Sequence, residues 1–377
     1  MTVNRLHLLS ARLASFLRRN RSNWSARRHA RPFSGQTSRR VLILGLPERI
    51  PQSQLHPFHY YADQIRSHHD AEIREITPER YLARDMPGLD GATSVCFQTN
   101  FDVSQSELVD MVETLRRRNP AARLVYLDWF APTDLRLAER MDPLVDLYVK
   151  KHVLRDRSQY GQPTLGDTNL TDYYSHRFNL NMPETRFPIP AGFLDKLLIG
   201  PSFVTADFMI DTFAGPSPLT APERPFDIHA RLAVQGTDWY QAMRGESLQA
   251  LQSLSGLNVL TETGVGLVQY LHELQSSKLC FSPFGYGEVC WRDYEAIANG
   301  AVLLKPDMSH IETRPDIFVP GETYMPVKWD LTDFNEKVDL LLSDDALRRR
   351  LTTQAFEVLH DYVAQARFVD QMARVFA

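Results

Sequence analysis

The sequence predicts an α/β protein built from two Rossmann-like domains that face a central cleft. Three observations carry that expectation. Short apolar runs alternate with helical patterns twice along the chain, a proline-rich stretch separates the two series, and 377 residues suffice for two cores of ordinary size.

The first series starts at "RRVLILGLP", where Val41 to Leu44 form a buried strand that ends at Gly45. A helix is expected around Tyr60 to His68 and a strand near Glu72 to Ile76. "ATSVCFQT" is a third strand, and Ser104 caps an amphipathic helix reaching Arg118. "ARLVYLDWF" and "VDLYVKK" add two more strands, giving an N-terminal acceptor domain over 40–180. Residues 181–226 carry eight prolines and poor periodicity, so they form the inter-domain connection, with one short helix. The second series spans 227–362, with strands at Phe226 to Val234, Leu257 to Leu260, Lys278 to Ser282 and Ala301 to Leu304. Helices are expected at Trp239 to Ser253, Val265 to Glu273 and Asp344 to His360, and a terminal helix at 363–377.

Composition excludes an integral membrane protein, because no apolar run reaches the roughly 18–20 residues that span a bilayer. Cys96, Cys280 and Cys290 show no metal-ligand spacing, which favours a reducing, cytoplasmic setting. The net charge of −4 hides an asymmetry: residues 1–39 are rich in arginine and free of carboxylates, whereas the body is acidic. Leu6, Leu9, Leu13 and Leu17 recur at helical spacing in that arm, beside Arg5, Arg12, Arg18 and Arg19. Such a pattern fits an amphipathic helix on an anionic membrane surface, peripheral on the cytoplasmic face. A disordered arm and an organellar transit peptide are the alternatives. Because the basic character stops at the arm, no nucleic-acid partner is expected.

The most informative stretch is "FSPFGYGEVCWRDYEAIANGAVLLKP", Phe281 to Pro306. At 100° per residue, Glu288, Arg292 and Glu295 lie within about 60° on one outward stripe, with Cys290, Tyr294, Ile297 and Ala298 opposite. Gly285, Tyr286 and Gly287 precede them, and glycines allow close approach of a ligand to the backbone. A helix N-terminus behind such a loop offers free N–H groups to a diphosphate. Farther along the stripe, carboxylates can accept ribose or sugar hydroxyls, and Arg292 can pair with phosphate. A solvated face with an i,i+4 ion pair is the plain alternative.

These residues resemble the donor-binding segment of GT-B glycosyltransferases, of the exostosin-like and group 1 types. The likeness lies in a strand, a glycine loop, an R-x-x-E-A helix, a glycine stop and an apolar strand, and extends over about 278–362. It implies a nucleotide-sugar donor in the C-terminal domain and a glycan or lipid-linked acceptor at the N-terminal one, as in cell-surface polysaccharide or glycoconjugate synthesis. Glu295 matches the glutamate that contacts the donor's ribose, Arg292 the arginine before it, and Gly285 to Glu288 the loop near sugar and diphosphate. Glu288 and Glu295 stand seven apart, whereas many retaining members show two glutamates eight apart.

Arg231, Arg244 and Lys305 are the cations expected to neutralise a leaving diphosphate. No D-x-D occurs, so a metal-independent site without a cofactor, using the nucleotide sugar as co-substrate, is expected. For a general base, "HPFHYYAD" offers His56, His59 and Asp63, and Asp128 ends the strand "LVYLD". His59, Asp128 and Glu288 are therefore the catalytic candidates. Lys150 and Lys151 end the next strand, where they can meet an anionic acceptor. A nicotinamide-dependent oxidoreductase is disfavoured because "LILGLPERIP" lacks G-x-G-x-x-G. A sugar-nucleotide epimerase and a non-catalytic nucleotide-sugar scaffold remain as alternatives.

Overall fold

The computed structural model describes residues 9, 10, 12, 13 and 17 of the arm, then 31–217 and 223–377. The first lobe holds β1 (Arg39–Leu44), β2 (Ala71–Ile76), β3 (Ser94–Phe97), β4 (Arg123–Asp128) and β5 (Leu147–Lys150). Three short strands follow: β6 (His152–Leu154), β7 (Thr164–Leu165) and β8 (Glu184–Thr185). β9 (Leu197–Ile199) then completes a six-stranded parallel sheet ordered β2-β1-β3-β4-β5-β9. Val41 to Leu44 and all of β3 are buried, as central parallel strands covered on both faces must be. The helix Gln105–Arg118 starts at a capping box between Ser104 and Glu107, and buries Leu108, Met111, Val112 and Leu115.

The second lobe holds β10 (Phe226–His229), β11 (Val259–Leu260), β12 (Ser277–Phe281), β13 (Val302–Pro306), β14 (Ile311–Thr313) and β15 (Met325–Val327). Its parallel sheet runs β11-β10-β12-β13-β15. In both lobes the order reverses beside the first strand, between β1 and β3 and between β10 and β12. Ligands of open α/β sheets bind outside the carboxyl ends of the strands at such a switch point.

Two features fix the lobes to each other. β6 pairs antiparallel with β14, joining first-lobe His152 to second-lobe Thr313, and Arg157 pairs with Glu312 at 2.6 Å. The C-terminal helices Arg367–Gln371 and Ala373–Phe376 cross back onto the first lobe, where the Phe368 ring meets Phe58 edge-on at 5.0 Å.

Several stretches depart from the expected pattern: β9 lies within 181–226, expected as the connection; the strand expected to reach Val234 ends at His229; and the helix Asn169–Phe178 is additional. The helix expected around Tyr60 to His68 is two helices, Arg49–Tyr60 and Ala62–His69. Pro51 and Pro57 mask the first of these in the sequence. Pro51 falls in the first turn, where no N–H is required, and burial of Leu55 and Phe58 holds the rest. Of the arm's leucine stripe, Leu9, Leu13 and Leu17 are helical, and Leu6 lies outside the described residues.

Candidate active site

The carboxyl ends of β10 and β12 deliver the glycine loop and its helix to the second lobe's switch point. That helix is Trp291–Ala298, with Cys290 as N-cap, so Glu288 precedes it and does not share a stripe with Arg292 and Glu295. The expected outward charged stripe is also corrected by burial. Glu288 is fully buried, and Arg292 is only partly accessible, donating to the Arg231 carbonyl oxygen.

A buried ion pair braces the loop from behind. Lys305, on β13, lies 3.2 Å from Asp293, whose carboxylate accepts from the Ser282 hydroxyl at 2.6 Å and the Cys290 amide at 2.8 Å. Lys305 is thus committed to holding the loop rather than to a ligand. Arg231 is committed as well: it forms a two-pronged pair with Glu273 at 2.6 and 2.7 Å. Glu273 also faces His229, whose pKa is lowered to about 4 by burial and by Arg292.

Arg244 differs from both. It is 5% exposed, its Nη2 reaches the Pro283 carbonyl only at 3.5 Å, and its Nε has no hydrogen-bond partner. Burial lowers its pKa. The Nε of Arg292 is likewise unpartnered. Two under-satisfied guanidinium groups therefore stand beside the N-terminus of the Trp291–Ala298 helix. Because Lys305 balances Asp293, the uncompensated charge there is positive.

Gly285 and Gly287 serve tighter packing than expected. A Cβ on Gly285 would lie 3.3 Å from the Cys290 sulfur, and one on Gly287 would lie 2.2 Å from the Ala131 carbonyl oxygen of the other lobe. Gly287 thus admits the facing backbone, where ligand approach was expected. Tyr286 is half exposed, stacked on Tyr240 at 4.6 Å, with its hydroxyl accepting from the Thr237 amide.

Across this seam Glu288 meets His152 at 3.6 Å, with Thr133 and His310 close by. Burial alone would raise the Glu288 pKa, but His152, His310 and Thr133 more than offset it, leaving a value of about 2. The sequence reading passed over His152, although it directly follows Lys150 and Lys151 in "YVKKHV". His310 carried no motif at all.

The first-lobe base candidates are corrected too. Asp128 is 1% exposed and held by three donors: Lys150 at 2.9 Å, the Tyr148 hydroxyl and the Phe130 amide. His59 lies within the helix Arg49–Tyr60 rather than in a loop, paired with Glu75 on edge strand β2. Burial lowers the His59 pKa, but Glu75 overcomes that and raises it. Lys151 donates to the Ser53 hydroxyl and the Val204 carbonyl, each at 2.8 Å, and burial lowers its pKa to about 7.

Glu295 is engaged from two sides. Tyr270 donates to one oxygen at 2.8 Å and Arg12 of the arm to the other at 3.1 Å. Among the described residues, no group of three or more His, Cys, Asp or Glu is placed to hold a metal ion. Nor is any described helix long and apolar enough to cross a membrane.

No protein-family model matches the chain, and no curated protein matches it. Solved structures do. An α-glucosyltransferase in complex with UDP matches with a TM-score of 0.50 at 10% identity, covering 90% of this chain and 100% of that one. A glycosyltransferase from Rickettsia africae ESF-5 gives 0.49 at 8% identity, covering 90% and 98%. The α-glucosyltransferase in complex with UDP and a 13-mer DNA containing a central A:G mismatch gives 0.48 at 10%, covering 90% and 100%. The two facing Rossmann-like lobes are those of the GT-B fold. The expectation of no nucleic-acid partner is withdrawn, because a structure with this fold is found in complex with DNA. Net charge summed over a chain does not fix the potential at one groove.

Proposed function

We propose that the chain is a GT-B glycosyltransferase of the exostosin-like or group 1 type, moving a sugar from a nucleotide-sugar donor to a hydroxyl-bearing glycan or lipid-linked acceptor. One observation carries this: Arg244 and Arg292 sit beside a helix N-terminus at the switch point, each with an unpartnered Nε. A guanidinium buried without a full set of acceptors is costly, and a diphosphate supplies the missing oxygens.

The same groups would act in the reaction. As the glycosidic bond breaks, negative charge grows on the departing diphosphate, and fixed positive groups stabilise it without reorganising. Glu295 is the proposed partner of the ribose. For the acceptor, the first lobe offers a cleft of 690 Å³ by its own switch point, lined by Leu46, Asn100, Asp102 and Asp110 among others. Amide and carboxylate groups there can accept from sugar hydroxyls.

The test is calorimetric titration with UDP, ADP and GDP, on wild type and Arg244→Gln. One nucleotide should bind wild type, and the variant should bind it about 10- to 100-fold more weakly, as loss of a charged hydrogen bond implies. If none of the three binds wild type, the proposal falls.

A further inference from the structure

We propose that Arg12 of the basic arm is an internal plug of the nucleotide site, holding the carboxylate that the ribose would otherwise engage. The inference rests on the donor-site assignment above. Arg12 lies 283 residues before Glu295, yet its Nη2 is 3.1 Å from Glu295 Oε1, and its guanidinium lies 4.2 Å from the centre of the Phe208 ring. With Tyr270 on Oε2, both oxygens of Glu295 are occupied. Each oxygen can still accept a second bond, so the obstacle is the Arg12 guanidinium itself, which a ribose hydroxyl approaching Oε1 would meet. Tyr270 belongs to the second lobe's own fold, whereas Arg12 reaches in from outside it.

The contact is built to be reversible. Arg231 grips Glu273 with two parallel bonds, but among the described residues Arg12 makes a single end-on bond, and its Nε is unpartnered. Burial works against the charged guanidinium, and Arg49 adds a like charge nearby. Of the described arm leucines, Leu13 and Leu17 are each 58% exposed and Leu9 is half-buried. The guanidinium supplies the contact with Glu295, so substitution of Arg12 should free that carboxylate.

A site that is free for only part of the time binds with an affinity reduced by that fraction, so an arm docked about nine-tenths of the time weakens nucleotide binding about tenfold. The experiment titrates UDP, ADP and GDP into wild type, Arg12→Ala and Arg28→Ala. Arg12→Ala should bind the preferred nucleotide about tenfold more tightly, and Arg28→Ala should match wild type. In wild type, that nucleotide should also speed tryptic cleavage after Arg12. Equal affinities for wild type and Arg12→Ala would overturn the plug and leave the nucleotide site standing. An equal gain in both variants would also overturn it, since general arm charge would then be the cause. Absence of binding by every protein would overturn the donor site and the plug together.

Discussion

Asp128 shows how burial decides the role of a single residue. At the end of a strand facing the cleft it resembles a general base, but a base must be able to reach the acceptor hydroxyl, and Asp128 is 1% exposed. Its oxygens instead accept from Lys150, Tyr148 and the Phe130 amide. Asp128→Asn should therefore act on stability, leaving Lys150 charged and unpaired at 1% exposure. Breaking a buried pair costs about 3–5 kcal/mol, to be measured by urea unfolding. Replacing Lys150 by Met in the same chain should recover part of that loss. If Asp128→Asn unfolds at the wild-type midpoint, the structural role is refuted.

At the scale of the element, the glycine loop and the Trp291–Ala298 helix form one unit, held by Asp293 and Lys305. The sequence showed that a loop, a helix and a strand follow one another here. It did not show where the helix begins, because Cys290 is an unusual N-cap and "GEVCW" continues the helical period backwards. Gly287 is the sharpest local test. Alanine there places a methyl group 2.2 Å from the Ala131 carbonyl oxygen, so loop or lobe must shift. Overpacking of this kind costs about 1–3 kcal/mol, and Gly287→Ala should melt at a lower temperature than wild type. An unchanged melting temperature would mean that the two backbones are not in contact.

Over the whole molecule, the two lobes are tied by the β6–β14 ribbon, the returning C-terminal helices and the buried meeting of Glu288 with His152. The last of these has a pH signature. Folding depresses the Glu288 pKa from its ordinary 4.5 to about 2. A depressed carboxylate contributes stability that is fully present above pH 4.5 and is lost as pH falls towards 2. Urea midpoints taken from pH 5 downward should fall more steeply for wild type than for Glu288→Gln. Parallel acid limbs in the two proteins would remove Glu288 from the account.

The sequence by itself determined the α/β class and the two series of strands, and pointed to the segment that carries the candidate site. These follow from local periodicity, from turn residues and from the continuous apolar runs that buried parallel strands require. It also named Arg292 and Glu295, charged residues next to a glycine loop, and gave Arg231, Arg244 and Lys305 as equal candidates for a cation, a choice no local pattern could make. Tertiary structure decided which charges are free. Arg231, Lys305 and Asp128 have the same chemistry as good site residues, but partners 42, 12 and 22 positions away neutralise them. The seam of Glu288, His152, Thr133 and His310 draws on both lobes, and the contact of Arg12 with Glu295 spans most of the chain. Pairings of this kind depend on which surfaces folding brings together, and no local pattern of residues encodes that.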